Sequence, residues 1–160
     1  ILANSLHPER IQVVIMETEK LPQLTRYEGK DYLRKGHPHK WTIDNLQSFT
    51  TTRFYPPELM GFQGKALVID PDVFATPGTD VLDLLKINMD GKAIFACKGP
   101  GESWKTSVML LDCSKLKHWN WNQLLEKIFT QKIDYRDLMN LSLEDQSTIG
   151  VLQDEWNHLD

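Results

Sequence analysis

Two aspartates one residue apart, Asp70 and Asp72, close an apolar run, Ala66-Leu67-Val68-Ile69. A buried-type strand ending in paired carboxylates offers hard oxygen donors, which suit Mg²⁺ or Mn²⁺. Pro71 between them fixes its own φ and pushes Asp70 toward extended backbone, so both side chains leave a stiff corner. The same residue types also make plain turns at strand ends. By themselves these residues leave turn and metal site as equal readings.

Other candidates for chemistry are few. His37 and His39 stand close together, but no acidic or cysteine partner lies beside them, and a solvated loop is the better reading. Cys97 and Cys113 are lone and lie beside apolar runs, without Cys-x-x-Cys spacing, so both are expected as buried free thiols. That usage fits a reducing compartment, and a cytoplasmic location is the expectation. Gly99-Pro100-Gly101 is a turn and not a phosphate loop, because no Gly-Lys-Ser/Thr opens a helix after it. Trp119 and Trp121 invite a sugar-stacking role, but anchoring in the core is the commoner use of such residues.

The elements that position these groups must come from 160 residues, 41% hydrophobic and 25% charged, enough for one domain with a real core. A net charge of −4 without a basic stripe gives no footprint for nucleic acid. No apolar run approaches the roughly 20 residues needed to span a bilayer. Residues 11–16 (IQVVIM) read as a buried strand, residues 28–41 mostly as loop, and residues 44–54 as a helix capped at Thr42 or Asp44. Strands follow at 66–69, 92–97 and 107–112, with a short helix over 79–87. Residues 114–130 form the clearest amphipathic helix, and a further helix is expected from Ser142 through Val151. Strands alternating with helices predict an α/β layer structure with a mostly parallel sheet, whose ligands sit at the carboxyl ends of strands.

The order of signals is more specific than any one of them. Arg53-Phe54-Tyr55-Pro56-Pro57-Glu58-Leu59 precedes the strand into Asp70-Pro71-Asp72; Ser107-Val108-Met109-Leu110-Leu111 follows; Glu144-Asp145-Gln146 and Trp156-Asn157 come last. This order resembles the nucleotide-sugar glycosyltransferases of family eight, relatives of glycogenin and of lipopolysaccharide galactosyltransferases. The resemblance implies a Rossmann-like, GT-A type fold with helices flanking the sheet. It implies transfer of a sugar, with retention, from a nucleotide-diphosphate donor to a sugar, lipid or protein acceptor. Asp70 and Asp72 would hold Mn²⁺ or Mg²⁺ against the donor diphosphate, Arg53 would lie near the donor, and Asp145 and Gln146 would line the transferred sugar. Bland counterparts are an ion pair for Arg53 and a capping box begun by Ser142 for Asp145.

The chain also departs from that family. Its usual Phe-Asn-Ser/Ala-Gly is matched by Trp104-Lys105-Thr106-Ser107, so Lys105 replaces the sugar-binding asparagine. Lys105, beside Thr106, is expected to meet the diphosphate or a charged sugar, or else to be an exposed lysine. The family's first base-contacting strand and its His-x-x-Gly-x-x-Lys-Pro-Trp segment have no counterpart here. The expectation is therefore one catalytic-type domain over residues 1–160, cut from a longer chain and weakly active or inactive alone. Two rivals remain: a haloacid dehalogenase-type phosphatase with Asp70 as nucleophile, and a degenerate domain that binds sugar nucleotides without catalysis.

Overall fold

A computed structural model describes residues 2–101 and 103–157. The first helical turn, α1 (Pro22–Thr25), opens on a proline whose missing N–H would have no helical partner there anyway. Strands β1 (Asp31–Arg34) and β2 (His37–Lys40) pair antiparallel as a hairpin. Its corner, Lys35-Gly36, has φ of 53° and 74°, the twist that a two-residue hairpin turn requires. Helix α2 (Leu46–Thr50) is capped by the Asn45 side chain and runs into a 3-10 turn at Thr51–Phe54. Helix α3 (Pro56–Leu59) again starts on proline. Then come β3 (Lys65–Ile69), α4 (Leu82–Lys86), β4 (Ile94–Lys98), β5 (Trp104–Asp112), α5 (Trp121–Phe129), α6 (Tyr135–Met139) and β6 (Ile149–Val151).

The main sheet has the order β3-β5-β4-β6. β5 is antiparallel to both β3 and β4, whereas β4 and β6 are parallel. Three strands therefore share a direction and β5 is inverted between two of them. Each strand sends alternate residues to opposite faces. One face carries Val68, Ile94, Ala96, Met109, Leu111 and Ile149 into the larger core, against Trp119, Trp121, Leu125 and Ile128 of the α5 region and Leu138 of α6. The other carries Val108 and Cys97 against Val81, Leu84 and Leu152. Helices thus cover both faces of a mixed sheet.

A bulge in β5 matters for the site. Ala96 pairs with Met109, but the next residue, Cys97, pairs with Lys105. Thr106, Ser107 and Val108 are left over on β5 relative to β4, and the side-chain phase flips across them. As a result Trp104 and Met109, of opposite parity, both point into the larger core. Ser107 turns to the other neighbour, where its carbonyl accepts from Asp70 N at 2.9 Å.

Several expectations need correction. The sheet is mixed in its pairings, because β4 ends at Lys98 and β5 begins at Trp104, and so short a link permits only an antiparallel pair. Residues 11–16 make no strand: they find no partner among the described residues, and Ile15 is 82% exposed. Residues 28–41 are not loop but the β1–β2 hairpin, on which Tyr32 is fully buried. The helix expected over 114–130 is confined to α5, because Asn120 caps its start. Residues 142–151 form a 3-10 turn and β6, and the helix lies earlier, at α6, where Asp134 caps it. The thiols are buried and free as expected, and both tryptophans are core anchors: Trp119 Nε1 donates to Glu144 and Trp121 Nε1 to the Thr51 carbonyl.

Gly150 has a packing reason. It faces Phe95 across the parallel β4–β6 pair, and a Cβ there would drive into the Phe95 ring. Gly150→Ala should therefore lower stability by about 1–3 kcal/mol, as overpacking does. Urea denaturation of the variant measures this, and an unchanged midpoint would refute it.

Candidate functional site

Asp70 extends the β3–β5 ladder by one residue, and its carbonyl accepts from Val73 N at 3.1 Å. Asp70-Pro71-Asp72-Val73 is thus a turn with proline at its second position, a common arrangement. Asp72 stands exposed at the corner. Asp70 does not: only 6% of it is exposed, and its carboxylate receives the Arg53 guanidinium as a fork. Arg53 Nε donates to Oδ1 at 2.9 Å and Nη2 donates to Oδ2. Burial pushes the Asp70 carboxyl above the ordinary carboxylate range, with Asp72 adding to the rise and Arg53 opposing it.

Arg53 reaches this position from the 3-10 turn after α2. That turn is pinned by hydroxyls, since Thr50 Oγ1 meets the Tyr135 hydroxyl at 2.7 Å and Thr51 Oγ1 donates to the Ser48 carbonyl. The third guanidinium nitrogen, Nη1, donates to Thr106 Oγ1 at 2.7 Å. Thr106 in turn donates to the Met139 carbonyl at 3.2 Å. The β5 bulge, the end of β3 and the end of α6 are therefore tied together through one arginine.

Beside this knot opens a cleft of about 250 Å³. It is lined by Arg34, Arg53, Lys105 and Arg136, by Trp104, Thr106, Ser107 and Tyr135, and by Asn140 and Asn157 among others. No carboxylate of the described residues lines it. Among the described residues Arg53 pairs with an acid, whereas Arg34, Lys105 and Arg136 do not. The Lys105 ammonium donates to the Asn157 carbonyl at 3.3 Å. A chain of net charge −4 thus gathers four cations at one opening. The space is below the roughly 300–1,000 Å³ usual for small-molecule pockets, so it suits the anionic part of a ligand more than a whole nucleotide sugar.

Two cleft walls are joined by Asp134. Its carboxylate accepts from Lys35 N at 3.1 Å and Gly36 N at 2.7 Å in the hairpin corner, and from Arg136 N at 2.7 Å, capping α6. The staple fixes the backbones of Arg34 and Arg136, one on each side. Burial alone would raise Asp134, but the N–H donations from Gly36, Arg136 and Lys35 together outweigh it and hold the carboxyl below its ordinary value.

The structure thus brings Arg53, Lys105 and Thr106 together at the cleft, with Asp70 directly behind Arg53. Asp145 and Gln146 lie elsewhere. Asp145 is exposed and caps the Gln146–Thr148 turn by accepting from Ser147 N at 2.9 Å, so the cap it forms is not the one expected from Ser142. Gln146 reaches the cleft at second hand: its Oε1 accepts from Trp104 Nε1 at 2.8 Å, and its Nε2 donates to the carbonyls of Leu141 and Glu144. His37 and His39 are exposed on β2. Sequence reasoning missed Arg34 and Arg136. The signals were the Lys35-Gly36 corner and the Asp134 cap, each adjacent to one arginine.

A divalent ion was tested against the donor set. Among the described residues no three histidine, cysteine or acidic side chains cluster. Each oxygen of a carboxylate has two lone pairs, so Asp70 keeps acceptor capacity beyond Arg53. Mg²⁺-type ions commonly use one or two carboxylates and complete their shell with substrate phosphates. Asp70 and Asp72 would be that two-carboxylate part, one buried under the Arg53 fork and the other exposed at the turn. Comparisons with protein-family models, curated proteins and solved structures returned no match.

Two outcomes are expected. Arg53→Ala leaves a buried carboxylate without its partner and should cost about 3–5 kcal/mol; in a urea double-mutant cycle, Asp70→Ala on that background should restore part of the loss. Strictly additive losses would show that the fork is not coupled. The second concerns pH. Asp134 contributes its full stabilisation above its ordinary value of 3.8, and loses it as pH falls through the lower folded-state value. Asp134→Asn should therefore flatten the acid limb of a melting-temperature profile between about pH 5 and pH 2; parallel limbs in the two proteins would contradict the staple.

Proposed function

We propose that the protein is a metal-dependent, retaining glycosyltransferase that takes a nucleotide-diphosphate sugar. One observation carries the reading: the Arg53 fork ties the Asp-x-Asp carboxylate Asp70 to the wall of a cation-lined cleft. A motif that suits a divalent ion and a cleft that suits an oxyanion share one arginine. The motif order of the chain supports the same conclusion.

On this reading Asp70 and Asp72 hold Mn²⁺ or Mg²⁺, which when bound supplies charge to neutralise the departing diphosphate. Arg53 is a positioning residue: two of its nitrogens orient Asp70 and the third holds Thr106. Lys105 meets the diphosphate as its negative charge grows, a contribution larger in a partly desolvated cleft than in water. Trp104 walls the cleft, held in place by Gln146 and covered by Lys98, whose ammonium lies 3.5 Å from the ring centroid. On this reading Gln146 serves the site through Trp104, whereas Asp145 caps the Gln146–Thr148 turn outside the cleft. The acceptor hydroxyl oxygen bonds to the anomeric carbon from the face the diphosphate leaves, as that carbon's bond to the diphosphate oxygen breaks and the hydroxyl proton passes to the departing diphosphate.

The phosphatase rival requires Asp70 as a free nucleophile, and the Arg53 fork speaks against that role. The test is calorimetry of the purified protein with Mn²⁺ and nucleoside-diphosphate sugars of each base. Binding is expected with at least one base and should require Mn²⁺. Lys105→Ala should weaken it about tenfold or more, the worth of a hydrogen bond to a charged group. Binding without turnover or hydrolysis would leave a non-catalytic sugar-nucleotide domain, and trapping an aspartyl-phosphate on Asp70 would overturn the reading.

A further inference from the structure

The donor reading leaves two cleft cations without work. Arg53 is matched by Asp70. A divalent ion together with Lys105, set against Asp72, supplies two net positive charges for the two negative charges of a sugar diphosphate. Arg34 and Arg136 remain outside that balance. Both line the cleft, both are half-buried, and neither pairs with a carboxylate among the described residues. Asp134, two residues before Arg136, accepts from three backbone N–H groups.

Their setting is built. The staple fixes both backbones, and Tyr135 stands between them with its hydroxyl held by Thr50. The Arg34 guanidinium lies over the Tyr135 ring, 5.8 Å from its centroid. A second observation also points to a ligand. Asn157 lines the same cleft and is only 4% exposed, yet among the described residues its buried Nδ2 has no hydrogen-bond partner. A buried amide donor left unpaired is costly, and natural structures rarely keep one without a partner. Guanidinium forks match the planar oxygens of carboxylates and phosphates. Every uncommitted group named here is a donor.

We propose that Arg34 and Arg136, with the Asn157 amide, bind a second oxyanion beside the diphosphate: a carboxylate or phosphate monoester carried by the transferred sugar or by the acceptor. The proposal rests on the donor reading of the cleft and narrows it to an acidic substrate.

The test is calorimetry of the purified protein with Mn²⁺ and four kinds of probe: nucleoside diphosphates alone, neutral nucleoside-diphosphate hexoses, the corresponding hexuronates, and hexose 6-phosphates set against the free hexoses. An acidic donor or an acidic acceptor should bind about tenfold or more tightly than its neutral counterpart. The hexuronate arm reports an acid on the donor and the hexose phosphate arm an acid on the acceptor. Arg34→Gln combined with Arg136→Gln should abolish that preference while nucleoside diphosphate affinity stays within about twofold. Thermal melts check that the double variant is folded, and each single variant repeats the measurement if it is not. Equal binding of acidic and neutral probes, or an equal loss of diphosphate and acid, overturns the proposal. An arginine-dependent hexose phosphate site in a protein that binds no nucleoside diphosphate would sink the donor reading and keep the oxyanion site.

Discussion

The Arg53–Asp70 fork is the constraint on which the site depends. With the two side chains 13% and 6% exposed, both charges have left most of their water. The desolvation of such a pair cancels much of its attraction, and apolar replacements of similar volume often do as well or better. Stability alone is therefore a poor reason for the pair. What it does supply is orientation. Asp70 is held at both oxygens, and the remaining donor of the same guanidinium fixes Thr106. A chain segment from before the sheet, the end of an edge strand and the interior of a neighbouring strand thus meet at one group.

The irregularities of the fold serve that meeting. A regular β5 would carry Trp104 and Thr106 to the face opposite Met109. The leftover residues at the bulge reverse the phase, so Trp104 and Thr106 reach the cleft while Met109 and Leu111 still pack in the same core. The other wall is assembled from a hairpin and a short helix, neither long enough to be rigid alone. Asp134 joins them, and its depressed pKa is the electrostatic trace of three N–H groups aimed at one carboxylate. The acidic balance of the whole chain makes the cationic opening more distinct, since four of its 18 basic residues line it and no carboxylate of the described residues does.

Apolar runs that find a sheet neighbour were legible in the sequence. The strand into Asp70, the strand into Asp112 and the buried tryptophans all follow from local pattern. Residues 11–16 show the limit, because β-branched propensity is realised only where another strand offers hydrogen bonds, and none is offered among the described residues. The hairpin was hidden for the opposite reason: it buries little beyond Tyr32, so alternation never develops. Strand direction was misjudged because it depends on link length and not on the apolar run itself. At the candidate cleft, Arg53, Lys105 and Thr106, with Asp70 behind Arg53, are residues that motif order singles out, whereas Arg34 and Arg136 belong to no motif. They meet only through a long-range contact, Asp134 to residues about a hundred positions away, which nothing local announces.

Asp70-Pro71-Asp72 is a turn, and a metal site built on it belongs to the proposed function. The turn is closed by Val73 N on the Asp70 carbonyl, and it is what separates a buried, oriented carboxylate from an exposed one. Such a pair makes a poor cage for a cation by itself. Asp70 is already neutralised by Arg53, and no third acidic, histidine or cysteine side chain clusters with the pair among the described residues. Hard cations with only two carboxylates at hand complete their shells with water and substrate phosphate. If the proposed function holds, ion and diphosphate would each supply what the other lacks, their binding would be cooperative, and by linkage each would raise the affinity of the other equally. On the proposed reading, the arginine that offsets the charge of Asp70 would make occupancy of a metal site there depend on the anion.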